Sequence, residues 1–179
     1  MTRILIGSSI SQKPEILKEF LRSLKEIKKE KLEYNYFFID DNRIEESCDI
    51  LKEFSSSEDF VSILKNNTEN NESNKYNEYI CDETTHRWST ELVKKESEFK
   101  NFIIKKAIDE NFDYLFLVDS DLLLHENTLK RLISLDKEIV STIFWIKWYP
   151  NSEEEPQVWL KDNYTLYNSV YNENISSEE

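Results

Sequence analysis

Tyr114-Leu-Phe-Leu-Val-Asp-Ser-Asp-Leu-Leu-Leu124 is the stretch that decides the fold: an unbroken apolar run, Leu115 to Val118, stops at two carboxylates spaced i, i+2. The run is too short for a membrane span, and it lacks the alternation of a strand with one wet face. It reads as a central parallel strand covered on both faces. Asp119 and Asp121 then fall at or just past the carboxyl end of a buried strand, the edge of an open α/β sheet at which ligands bind. Two carboxylates so spaced can reach one divalent cation and leave positions open for water and phosphate oxygens. The same residues also read as a strand followed by an acidic capping turn, because Asp is a common turn and cap residue. The surrounding chain has to decide between the two.

Upstream of the motif, a helix from about Thr90 to Glu110, with Leu92, Phe99, Phe102, Ile103 and Ala107 on its inner face, leads into the strand. At the start of the chain, Arg3 to Ile6 reads as a strand ending in the loop Gly7-Ser-Ser-Ile-Ser11, with Pro14 opening a helix. In that helix Ile16, Leu17, Phe20, Leu21, Leu24 and Ile27 recur at three- and four-residue steps, above an outer face of Lys and Glu. Gly7 is the only glycine of the chain and marks either a sharp turn or a close approach of a ligand. Tyr36-Phe-Phe-Ile-Asp-Asp41 repeats the pattern of an apolar run ending in carboxylates, and should lie beside the first strand, joined by a right-handed crossover. Ile44 to Phe54 reads as a second helix and Phe60 to Leu64 as a third, short strand.

Residues 66–82 contain little to bury and read as a mobile insertion or lid. Beyond the motif, Leu129, Leu132, Ile133 and Leu135 mark a helix. Glu138 to Trp148 is strand-like and aromatic, Pro150 to Pro156 breaks it, and Gln157 to Leu160 reads as one more strand. The expected fold is a single three-layer α/β/α domain, residues 1–165, with a mostly parallel central sheet, an abbreviated carboxyl end and an acidic tail at 166–179.

The 179 residues suit one domain with a substantial core. Lys and Arg total 23 against 36 Asp and Glu, a net charge of −13, which argues against a nucleic-acid partner. A phosphorylated ligand then needs a metal ion and a few local cations. With no apolar signal segment at the start and no transmembrane run, the expected location is cytoplasmic. Cys48 and Cys81 stand apart without a Cys-x-x-Cys or His cluster and are expected to be reduced.

A first strand with a small-residue loop, a second ending in Asp40-Asp41, a helix carrying Lys100-Asn101 and Asp119-Ser-Asp121 at a strand end stand in one order. Together, over roughly residues 3 to 149, they resemble the nucleotide-diphospho-sugar glycosyltransferases of the GT-A fold, closest to glycosyltransferase family 2. The resemblance implies a hexosyltransferase-type enzyme moving a sugar from a nucleoside-diphosphate sugar, with UDP the expected nucleotide, to an acceptor hydroxyl. It implies Mn2+ or Mg2+ on Asp121, with Asp119 on the metal, a metal-bound water or the donor ribose. Ser8, Ser9 and Ser120 would line the nucleotide pocket, Asp40 or Asp41 would accept a hydrogen bond from the base, and Lys100 would lie near the base or diphosphate.

The chemistry is consistent: a nucleoside diphosphate leaves poorly until its charge is neutralised, and a divalent ion on all-oxygen ligands does this. Arg87, after the insertion, reads as a further phosphate contact or as a surface arginine beside Trp88. His125 reads as a capping residue or as a group near the metal, and Trp145, Trp148 and Tyr149 as core or as a sugar-stacking platform. The general base is unassigned; Glu155 and Asp162 are the downstream candidates. A catalytically degenerate donor-binding or regulatory domain of the same fold is the alternative, and a homo-oligomer stays open. A phosphatase of the haloacid-dehalogenase type is disfavoured because its Asp-x-Asp comes early in the chain and Leu123 stands where that motif has Thr or Val.

Overall fold

The structure, a computed structural model, describes residues 1–29, 32–66, 80–81, 86–87, 89–143, 145–147, 153–156, 165–168 and 173–176. Thr2–Ile10 (β1) and Leu32–Asp40 (β2) pair in parallel along their whole length, from Thr2 with Leu32 to Ile10 with Asp40. Between them Pro14–Glu26 (α1) starts on a proline, whose missing N–H is no loss in a first turn, and buries Leu17, Phe20, Leu21 and Leu24. Glu45–Ser57 (α2) repeats the crossover with Cys48, Leu51 and Phe54 inward, and Val61–Lys65 (β3) pairs with β2 in parallel. Both crossovers step the same way across the sheet, so α1 and α2 share one face, with Leu17, Phe20, Leu51 and Phe54 in one cluster.

After Ile80–Cys81 (β4), His86–Arg87 (β5) and Thr90–Asp109 (α3), the chain returns as Tyr114–Leu117 (β6) on the other side of β1. The sheet order is β3-β2-β1-β6, all parallel, with Ile4 opposite Tyr114 and Gly7 opposite Leu117. This reversal puts α3 on the opposite face. The period of two along β1 follows: Ile4, Ile6 and Ile10 join the α1 and α2 cluster, while Leu5 packs with Ile103 and Ala107 of α3. Thr128–Ser134 (α4) adds Leu129 to the first cluster.

Residues 1–69 and 96–138 form one compact unit, which holds this sheet, and residues 70–95 and 139–179 a second. The second contains antiparallel pairs: β4 with β5, Trp145–Ile146 (β7) with Glu155–Pro156 (β8), and Thr165–Asn168 (β9) with Glu173–Ser176 (β10). No helix among the described residues is long and apolar enough to cross a membrane.

Several boundaries differ from the expectation. β1 does not end at Ile6: Gly7 to Ile10 continue as strand opposite Phe37 to Asp40, because β2 runs that far and Ile10 is fully buried. β6 is an edge strand among the described residues and not the buried central strand expected: Phe116 and Leu115 pack partly buried in the two clusters, while Tyr114 and Leu117 are exposed. Phe102 is half exposed and lies against Phe37, whereas Ile103 and Ala107, one turn apart, carry the inward stripe. Of Glu138 to Trp148 only Trp145–Ile146 is strand among the described residues; its partner contains Pro156, which has no N–H to extend a ladder. Of the 66–82 insertion, Asn66 and Ile80–Cys81 are described; 157–160, Trp88, Trp148 and Tyr149 lie outside the described residues.

Helix α3 is fixed to the sheet at two levels. At its foot the Arg3 guanidinium donates to the carbonyls of Glu110 and Asn111 at 2.8 and 2.9 Å and sits 4.6 Å over the Phe112 ring, a cation on the last carbonyls of a helix. Arg3 and Asp113 also exchange hydrogen bonds, which sets the β1–β6 register. Higher up, a Cβ added at Gly7 would lie 2.3 Å from Cγ2 of Ile103. That methyl belongs to a fully buried, β-branched side chain and cannot swing away. Gly7→Ala should therefore destabilise the fold by about 1–3 kcal/mol, lowering the thermal midpoint by roughly 3–10 °C. In an Ile103→Ala background the same change should be much less damaging; equal losses in both backgrounds would show that the contact does not set the packing.

Candidate active site

The direction of the sheet reverses between β1 and β6, and an open α/β sheet binds its ligands outside the carboxyl ends of the two strands that flank such a reversal. At those ends stand Ser8 and Ser9 of β1 and, just past β6, Val118, Asp119 and Ser120. The Val118 N–H donates to the Gly7 carbonyl at 3.1 Å, so the pairing runs one residue beyond β6. Ser9 and Asp119 each follow two residues after the last paired residues, Gly7 and Leu117.

α3 supplies the wall over this pair. Ser9 Oγ donates to Glu96 Oε2 at 2.7 Å, and Lys100 Nζ donates to Asp119 Oδ1 at 3.1 Å. Glu96, Lys100 and Ile103 follow at i, i+4 and i+7, which is one stripe of a helix. The stripe that packs on Gly7 thus ends, toward the strand tips, in two polar residues each seated on a strand residue. The Lys100 and Asp119 side chains are 45% and 64% exposed, so the ion pair is open to exchange with a ligand.

The remaining expected residues are distributed around this quartet. Ser8 is buried on the α1 face and donates to the Ser9 carbonyl at 3.2 Å. Ser120 is also buried, and its hydroxyl has no hydrogen-bond partner among the described residues. Asp121 is exposed and borders a shallow cleft of about 300 Å³ with Glu15, Ile16, Glu19 and Leu123. The turn therefore parts its carboxylates: Asp119 is engaged by α3, and Asp121 lies beside α1. Asp40 is buried at the end of β2, where its Oδ1 accepts from the Asn42 N–H at 3.1 Å and from Asn42 Nδ2 at 2.7 Å, closing an Asx turn. Asp41 Oδ1 accepts from Asn66 Nδ2 at 2.6 Å. Burial, with Asp40 nearby, pushes the free Cys48 thiol up and keeps it protonated.

Arg87 and Glu155 belong to the second unit, in β5 and β8, and Asp162 lies outside the described residues. His86 shares β5, while Trp145 is exposed. His125 settles as a turn residue: its Nδ1 accepts from the Asn127 N–H at 3.1 Å at the start of α4. Glu96 is the residue that motif reading missed. Its only signal was a position four residues before Lys100, a spacing that on its own reads as a helix-surface ion pair.

No group of three or more His, Cys, Asp and Glu among the described residues is placed to hold a metal ion. Asp119 and Asp121 nonetheless offer only hard oxygen donors, the kind that suits magnesium or manganese when water and substrate phosphates supply most of the ligands. Their donor atoms suit such an ion in kind, while the turn holds the two carboxylates against different helices.

No curated protein matches the chain. The family model for the glycosyltransferase family 25 N-terminal domain matches residues 1–147, which takes in the whole four-stranded sheet, α3 and the Asp119 turn. The resemblance to glycosyltransferases thus stands, with family 25 as the family matched. With that match covering most of its length, the chain belongs to the glycosyltransferase family 25 N-terminal domains.

Proposed function

We propose that the chain transfers a sugar from a nucleoside-diphosphate sugar to an acceptor hydroxyl, as a hexosyltransferase-type enzyme with UDP the expected nucleotide. The observation that carries this reading is the quartet Ser9, Glu96, Lys100 and Asp119 at the strand reversal, in a chain of a glycosyltransferase family. Lys100 gives an otherwise acidic protein a local cation where a diphosphate would lie. On ligand binding its ammonium passes from Asp119 to a phosphate oxygen, which frees the carboxylate. Asp119 and Asp121 would hold Mg2+ or Mn2+, which when bound supplies Lewis-acid stabilisation of the leaving diphosphate. The Ser120 hydroxyl, without a hydrogen-bond partner among the described residues, would serve the nucleotide together with Ser8 and Ser9, and Asp40 and Asp41 border the β2 side, each already holding an asparagine amide.

The acceptor's base is not assigned; Glu155 and Asp162 remain the candidates. A donor-binding domain without transfer activity is the second reading, favoured by the lack of an assigned base. Product analysis with labelled donor separates the two readings.

Nucleotide binding tests what they share. UDP at 100 times its dissociation constant adds about 2.7 kcal/mol, raising the unfolding midpoint by roughly 5–10 °C. We expect that rise to require manganese and to vanish in Asp121→Ala; a rise that persists in the variant would remove the metal assignment. Lys100→Met should leave the unliganded midpoint within roughly 4 °C, since an exposed ion pair contributes at most about 1 kcal/mol. Its affinity for UDP should fall about ten-fold or more, the worth of a charge-assisted hydrogen bond. A lower midpoint with unchanged affinity would make the pair a structural tie.

A further inference from the structure

Glu96 is the member of the quartet to which the donor-site reading gives no role. We infer that its carboxylate recognises hydroxyl groups of the sugar nucleotide, an assignment that rests on the crevice between β1 and β6 being the donor site.

Three observations carry it. Ser9 occupies Oε2 at 2.7 Å, whereas Oε1 has no hydrogen-bond partner among the described residues, so a partly buried carboxylate keeps acceptor capacity at the mouth of the crevice. Glu96 stands one helical turn, about 6 Å, from Lys100, further toward the amino end of α3 and level with Ser9 near the carboxyl end of β1. A ligand whose phosphates lie at Lys100 therefore presents its next group to Glu96. A carboxylate repels a further phosphate and accepts from neutral donors of hydrogen bonds, as vicinal hydroxyls are. The wall of α3 thus sorts its ligand by charge, the ammonium for the diphosphate and the carboxylate for the polyol.

A purely structural purpose explains less. α3 is already fixed by the Arg3 bonds at its foot and by the Gly7 contact with Ile103, so the Ser9 tie adds little to its docking. What the tie does is hold one carboxylate oxygen in place and leave the other available, which is preorganisation for a ligand.

A sugar nucleotide carries two polyols, the ribose and the transferred sugar, and calorimetric titration separates them. UDP, 2′,3′-dideoxy-UDP and UDP-glucose would each be titrated, with manganese, into the parent and Glu96→Gln. The amide oxygen still accepts from Ser9, so this variant keeps the tie and loses the charge. We expect the variant to bind at least one hydroxyl-bearing ligand about ten-fold more weakly while its affinity for dideoxy-UDP is unchanged. A loss already present with UDP assigns the ribose; a loss confined to UDP-glucose assigns the transferred sugar. Equal losses for all three ligands, or no loss for any, would overturn the assignment and leave the donor site standing. A parent that binds none of the three would overturn the donor-site reading itself, and the role of Glu96 with it.

Discussion

The close approach of α3 to β1 at Gly7 is the contact on which the rest of the structure depends. Any side chain at that position would run into Ile103, so the helix rides on bare backbone and lies lower on the sheet than a normal pair of facing side chains permits. Arg3 fixes how far along the strands the helix sits, by holding the carbonyls at its carboxyl end. With height and position both set, residues one and two turns further along the same stripe come within reach of the ends of β1 and β6. Lys100 meets Asp119, and Glu96 meets Ser9.

The two faces of the sheet then serve different ends. Beneath α1 and α2 lies the larger apolar cluster, with Tyr36, Phe38 and Phe54 in mutual ring contact, and there Ser8 and Asp40 are buried at the strand tips. Beneath α3 the cluster is smaller, Leu5, Phe37, Ile39, Ile103 and Ala107, and it gives way to charged side chains at the strand tips. The strand order reverses between these faces, at β1 and β6. In a chain of net charge −13, one ammonium at that opening has a large effect on which ligands approach. A divalent ion brought in with the diphosphate would replace the positive partner that Asp119 loses when Lys100 moves away.

The layers were legible in the sequence because hydrophobic periodicity reports them directly: α1, α2, α3 and β2 fall within a few residues of their expected bounds. Limits set by neighbours were not. Gly7-Ser8-Ser9 has the composition of a loop, and it is strand only because β2 extends to Asp40 beside it. Leu115 to Val118 has the composition of a central strand, yet it lies at the edge with Leu117 exposed, because an unbroken apolar run does not report a strand's place in the sheet. Glu138 to Trp148 has a strand's composition, yet among its described residues only Trp145–Ile146 pairs, with Pro156 and Glu155. The candidate site was legible in the same uneven way. Asp119 and Lys100 each stood in a motif, while Glu96 is a surface glutamate until the docking of α3 turns it toward Ser9. Asp40, read as a contact for a base, already closes its own turn through Asn42.

A crystal structure of the chain with UDP and manganese tests the central claim most directly. The account predicts a diphosphate between the carboxyl ends of β1 and β6, within hydrogen-bond distance of Lys100, the ion on Asp119 and Asp121, and Lys100 parted from Asp119. A nucleotide bound elsewhere, for example in the hollow lined by Thr2, Asp113 and Lys137 at the opposite edge of the sheet, with the Lys100 and Asp119 pair intact, would contradict it.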